Sequence, residues 1–257
     1  MARGRLTCLQ EIMLLWFLPI AAAVFGAAIL RGLTGFGFAL AAVPLMSLII
    51  QPRVAVASAI LLQVMIGFRD LMHLHGSYDR AAVLRLSLGS LLGMPFGIAA
   101  LALFDPDAGR LAIAAISLAG LGMMLRQPHR HLAPGPGMTL AAGALSGLFG
   151  SLAAMPGPPT VAYFVASGTP AARARASMMI FFFASALITL PGLAVAGAVD
   201  LRTLGLSLAL LPLLVSGTWV GGQLFRRLDP RHYRGLALGV MALSAGLAGA
   251  RALAGLF

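Results

Sequence analysis

The chain has 257 residues, of which 60% are hydrophobic and only 10% charged. Soluble domains run nearer 45–50% apolar with about a quarter charged, so a soluble enzyme, a DNA-binding module and a disordered chain are excluded together. A formal charge of +11 would suit nucleic acid, but the arginines are strewn singly between long apolar runs, as topology determinants of a membrane protein are.

Charge-free windows mark the spans, each needing about 20 residues to cross the hydrocarbon. In chain order they are Ile12–Leu30, Phe36–Ile50, Val54–Phe68, Leu86–Phe104 and Leu111–Leu125, then Gly137–Met155, Pro159–Ser167, Ala176–Gly197, Thr203–Phe225 and Gly235–Ala250. Phe36–Ile50, which contains Pro44, and Pro159–Ser167 are too short to cross alone and read as re-entrant or broken helices. Arg3 and Arg5 before an apolar run imitate a signal peptide, yet Leu30-Arg31-Gly32 leads straight into more apolar sequence. The first window is therefore expected to remain as a span. The fold class this predicts is an all-α integral membrane protein with about eight transmembrane helices plus the broken or re-entrant segments.

The polar residues narrow the chemistry. All 18 basic residues are arginine, a compositional bias rather than a site. A single cysteine, Cys8, excludes an internal disulfide and a cysteine-based metal cluster. His129 and His131, in Arg126-Gln-Pro-His-Arg-His131, suit a polar interfacial loop better than a metal site, so no metal and no cofactor is expected. The acids Glu11, Asp70, Asp79, Asp105, Asp107, Asp200 and Asp229 all avoid the middle of an apolar run. Membrane proton relays usually need a buried carboxylate or histidine, and intramembrane catalysis needs a constellation of acid, base or nucleophile. The chain is not read as an enzyme.

The sequence repeats itself. Gly32-Leu33, Gly35 and Pro44 match Gly147-Leu148, Gly150 and Pro159 at an offset of 115; Pro52 pairs with Pro170, Asp79 with Asp200, and Gly93, Gly97 and Asp105-Pro106 with Gly217, Gly221 and Asp229-Pro230. The repeats are taken as residues 12–126 and 137–256, joined by a loop at 127–136 within one membrane domain. Five elements per half is an odd number, so the halves should face opposite ways across the membrane. With the N-terminus outside, the inside set is Arg31, Arg69, Arg80, Arg85, Arg126, Arg130, Arg173, Arg175, Arg226, Arg227, Arg231 and Arg234, against six outside. A parallel repeat leaves almost no bias, so the positive-inside rule favours inversion.

In inverted-repeat transporters the substrate binds near the midplane, where broken helices from the two halves meet. The matching interruptions are Arg31-Gly-Leu-Thr-Gly-Phe-Gly-Phe38 and Ser146-Gly-Leu-Phe-Gly-Ser-Leu-Ala-Ala-Met-Pro-Gly-Pro-Pro159. A helix starting after each break aims free N–H groups and the positive end of its dipole at the gap, which favours an anion. The candidate substrate-binding residues are Arg31, Gly32, Thr34, Gly35, Phe36 and Gly37 at the first break; Ser146, Gly147, Gly150, Ser151, Pro156, Gly157 and Pro158 at the second; and Gln63 between them. Each has a structural reading beside the functional one. The glycines also suit close helix packing. Arg31 is either the anion's countercharge or an interfacial topology anchor. Thr34, Ser146 and Ser151 either donate to a ligand or bond back to their own turn. Gln63 either faces the pathway or bonds to a neighbouring helix. The run Met178–Phe183 is most simply lipid-facing or core packing.

At these breaks the sequence resembles the sulfite exporter TauE/SafE family of membrane permeases. Gly32-Leu-Thr-Gly-Phe-Gly-Phe-Ala-Leu-Ala-Ala-Val-Pro-Leu45 is similar to the family's first motif, and Met155-Pro-Gly-Pro-Pro-Thr-Val-Ala-Tyr163 to the Pro-Gly-Pro-Pro form of the second. Family members usually carry a denser glycine run, which Phe36 and Phe38 interrupt here and Ser151–Ala154 replaces in the second half. The resemblance implies transport of sulfite, sulfonates or related organosulfur anions across the bacterial inner (plasma) membrane, and it is the only reason to name sulfur. Expected partners are thus a small-molecule anion, the lipid bilayer and, for the glycine faces, a second copy of the chain. Nucleic acid is not one. The rival readings are a passive anion channel, separated by whether flux saturates, and a partner-binding assembly subunit, which should tolerate Arg31→Ala.

Overall fold

The computed structural model describes residues 2–34, 37–72, 78–125, 134–225 and 246. These form helices α1 (Ala2–Thr34), α2 (Phe38–Ser47), α3 (Pro52–Met72), α4 (Arg80–Leu103), α5 (Pro106–Leu125), α6 (Pro136–Ala153), α7 (Gly157–Ala166), α8 (Ala171–Val195) and α9 (Leu201–Phe225). All regular structure among the described residues is helical, as a chain in lipid must arrange it to satisfy every backbone group. Six of the helices, α1, α3, α4, α6, α8 and α9, are long and apolar enough to cross a membrane. The window Gly235–Ala250 and all five histidines lie outside the described residues, apart from the single helical position Gly246.

The helices run past the charge-free windows because flanking charges do not end them. Arg53 and Asp70 lie inside α3, and Arg80 and Arg85 inside α4. What starts the helices is local. Prolines open α3, α5 and α6, where a missing N–H costs nothing. Asp79 caps α4 by accepting from the Ala82 N–H, and Asp200 caps α9 by accepting from the Thr203 N–H and hydroxyl. The Thr203 hydroxyl and N–H hold the Asp200 carboxyl below its ordinary pKa. Two arginines close helix C-termini: Arg110 Nε donates to Ser47 O, and Arg53 Nη2 to Ala196 O.

Glycines set which helices lie closest. A Cβ on Gly93 would collide with Ala144 O, and one on Gly97 with the Ser151 hydroxyl, so α4 lies backbone to backbone on α6. In the same way, Gly217 meets Phe25 and Ala28 and Gly221 meets Ile29, laying α9 on α1. Rising numbers meet rising numbers in both pairs, so each runs parallel. Helix α8 is parallel to α4, with Ser177 at Asp79 and Ser185 at Ser90. It is antiparallel to α3, with Ala196 at Arg53 and Phe183 at Gly67. A short turn then reverses the chain into α9. Helices α1, α3 and α9 therefore run one way and α4, α6 and α8 the other.

The two short helices sit inside this bundle. Almost all of α2 is buried, from Phe38 through Pro44, in the apolar core against α1, α3 and α5. Helix α7 buries Gly157 through Thr160, Tyr163 and Phe164. Protein on all sides is what allows the irregular backbone before each of them to lie at membrane depth.

Candidate functional site

Both short helices begin at one cavity. Helix α2 follows Gly37, whose φ of 93° is left-handed and favours glycine. Helix α7 follows a tight break: α6 ends at Ala154, itself left-handed at φ 56°, and Pro156 leads into Gly157. The cavity between them holds about 30 Å³, room for one or two waters. Its polar wall is Arg31 and Gln63 with the backbone of Gly37–Leu40 and Ala154–Gly157, and its apolar wall includes Phe38, Met155 and Phe182.

The two helix starts contribute unequally. The first-turn N–H groups of a helix have no partner within it. At α2 these include Gly37, Phe38 and Ala39, all on the cavity wall. At α7 the corresponding residues are Pro156, Gly157, Pro158 and Pro159, and three of the four have no N–H. Gly157 alone supplies a donor there, so the helix-start N–H groups at the cavity come mainly from α2.

Arg31, at the end of α1, is largely buried at 12% exposure and lines the cavity. Its guanidinium Nη2 donates to Asp70 Oδ2, whose side chain is 18% exposed. The sequence placed Asp70 at the flank of a span, 39 residues from Arg31, and no spacing joined the two. The structure brings a carboxylate to the edge of a break that holds none in its own sequence. Gln63 Nε2 donates to Ala154 O at 3.1 Å, so Gln63 both lines the cavity and caps the left-handed end of α6.

The remaining candidates divide between cavity and packing. Gly37, Pro156 and Gly157 line the cavity. Gly32 and Gly147 lie instead against the backbones of α9 and α4, and Gly150 against the Pro156 ring. Ser151 Oγ lies 2.8 Å from Gly147 O and 3.0 Å from Met94 O, tying α6 to α4. Ser146 Oγ pairs with Thr160 Oγ1 at 2.9 Å across the break. Pro158 packs against α5 at Gly120. Gly35, Phe36 and the Thr34 side chain lie outside the described residues. Phe182, on the cavity wall, comes from a stretch whose apolar composition offered only packing or lipid contact, and Met155 from within the second break. Among the described residues no three His, Cys, Asp or Glu side chains stand together as a metal site would need.

The internal offset changes at the first break. The short helices start 119 residues apart (157 − 38) and end 119 apart (166 − 47), one helical turn more than the 115 read from the glycines. At 119, Gly37 corresponds to Pro156, Phe38 to Gly157 and Gln63 to Phe182, each of the six on the cavity wall. The slip arises because glycines recur about every turn in both segments, so matching them one turn out scores as well. Asp79 and Asp200, paired in the sequence, each cap the helix that follows.

A bundle of six membrane-length helices, with two half-length helices buried in it and meeting at a polar cavity, defines a multi-pass helical membrane protein. Residues 20–247 match the model of the family described as Sulfite exporter TauE/SafE, nearly the whole chain. The protein belongs to that family of membrane transporters. No curated protein and no solved structure matches it.

Proposed function

We propose that the protein is a secondary carrier that moves sulfite, a sulfonate or a related small anion across the bacterial inner membrane. The anion binds between the starts of α2 and α7. The observation that carries this reading is the convergence, on one cavity, of a helix N-terminus without a side-chain cap and a guanidinium. Ten residues of helix span about 15 Å, half of a hydrocarbon core of about 30 Å, a length that suits starts near mid-depth. The family's transport of sulfite supplies the anion class.

In this reading residues 12–126 and 137–256 are inverted repeats joined by 127–136. Support comes from helix direction: α1, α3 and α9 oppose α4, α6 and α8, so α1, α3 and α4 run against α6, α8 and α9, their counterparts in the second half. Eight spans follow if α5 and the window Gly235–Ala250, outside the described residues, join the six long helices. Two half-helices complete the fold.

The test is thermal unfolding of purified protein with sulfite, thiosulfate, sulfate, taurine, sulfoacetate and acetate. A ligand bound only by the folded state raises the melting temperature with concentration. A rise with sulfite or a sulfonate that Arg31→Ala abolishes is expected. No rise with any anion overturns the reading.

A further inference from the structure

Arg31 faces the cavity and Asp70 does not; Asp70 faces a second space and Arg31 does not. That second space is a narrow groove, too tight for a water, lined by Gly67, Asp70, Leu71, Met179, Ile180 and Phe183. Cavity and groove follow one another along two helices. On α3 Gln63 lines the first and Gly67 and Asp70 the second; on the antiparallel α8 Phe182 lines the first and Met179 and Ile180 the second. The Arg31–Asp70 ion pair is the partition between them.

We propose that this ion pair is the gate of the anion cavity, with Asp70 a positioning residue that competes with the substrate for Arg31. The inference rests on the anion-site reading above. Paired with Asp70, Arg31 offers the cavity little net charge, so an arriving anion has to take over the guanidinium. Two anions cannot both be satisfied by one cation in a low-dielectric wall. The displaced carboxylate turns to its other side, toward the end of α3, and the Met179 and Phe183 side chains that fill the groove give way to it. The partition then opens in the direction of α3's C-terminus, and the substrate itself is what opens it. Without an anion the pair re-forms and the path is shut. The exchange also selects. A planar guanidinium holds an oxyanion through two parallel N–H···O bonds, so sulfite or a sulfonate can replace the Asp70 carboxylate where a halide, a single point charge, cannot.

The measurement is sulfite binding by titration calorimetry, with chloride as the competing ion, on wild type, Asp70→Asn, Arg31→Ala and the double variant. Asp70→Asn removes the competitor while keeping side-chain shape, and is expected to tighten sulfite binding about five- to tenfold and to let chloride compete. The double variant, which orphans neither charge, is expected to lose sulfite binding. Sulfite affinity unchanged in Asp70→Asn, with binding lost in Arg31→Ala, overturns the gate and leaves the anion site standing. Sulfite binding that survives in every variant, or is absent from wild type, overturns both. A second readout on wild-type protein does not need Asp70→Asn to fold. The sulfite-induced infrared difference spectrum is expected to carry a carboxylate band that moves in frequency in Asp70→Glu, and a spectrum with no such band overturns the gate.

Discussion

Arg31 brings a full charge into a wall whose other side chains are uncharged, and it is tolerated there because Asp70 meets it. Removing one partner of a buried pair leaves the other uncompensated, which costs more than the pair contributes. Arg31→Ala alone is therefore expected to lower the melting temperature in the absence of ligand, and Asp70→Asn added to it to restore part of the loss. Gln63 carries a different kind of constraint. Its amide satisfies Ala154 O at the buried end of α6, and leaving such an acceptor without a donor costs about 1–3 kcal/mol. Gln63→Leu should show that loss in thermal unfolding, with Gln63→Glu, which can no longer donate from this position when ionised, falling on the same side. Of these three residues, Arg31 was legible in sequence as the charge beside a break and Gln63 as the amide inside the charge-free run Val54–Phe68. Asp70 was not, because an acid at the end of an apolar run reads as a topology marker, and only the three-dimensional meeting of α1 and α3 makes it a partner.

At the scale of elements, glycine has two roles that the sequence cannot separate. Gly93 and Gly97 on α4, like Gly217 and Gly221 on α9, stand where a Cβ would strike the neighbouring helix, whereas Gly26 on α1 has open space around it. Gly93→Leu should push α4 off α6 and unfold the protein at lower temperature, since overpacking costs about 1–3 kcal/mol and backbone cannot rotate aside. Gly26→Ala should be neutral or stabilising by up to about 1 kcal/mol, from helix propensity alone. Melting curves of the two variants decide it. The same ambiguity explains what was read correctly and what slipped. The broken helices and their order were plain, because ten apolar residues bounded by glycine and proline cannot cross a bilayer. The register between the breaks was one turn out, because Gly32 and Gly147 are packing glycines that recur at helical spacing. Only the helix ends fix which residue of one break stands opposite which of the other.

For the whole molecule, the opposed running directions of the helices make a prediction about sides. If α1, α3 and α9 cross one way and α4, α6 and α8 the other, the α2–α3, α4–α5 and α8–α9 turns emerge together on one face. The α7–α8 turn and the start of α4 then emerge on the other face, as the Asp79–Ser177 hydrogen bond requires. The arginine distribution orients the pair: Arg53, Arg110 and Arg202 belong to the sparsely charged face and Arg80, Arg85, Arg173 and Arg175 to the dense one, which is the cytoplasmic side by the positive-inside rule. In a Cys8→Ser background, cysteines at Gln51, Asp105 and Val199 should react with a membrane-impermeant maleimide in intact cells, while those at Tyr78 and Thr169 should react only after permeabilisation. Labelling of Thr169→Cys in intact cells, alongside Gln51→Cys, would put the two halves the same way round. The cavity would then lose the opposed half-helices on which alternating access depends. The reverse pattern throughout would keep the inverted pair and turn the carrier over, sending the Asp70 groove outward.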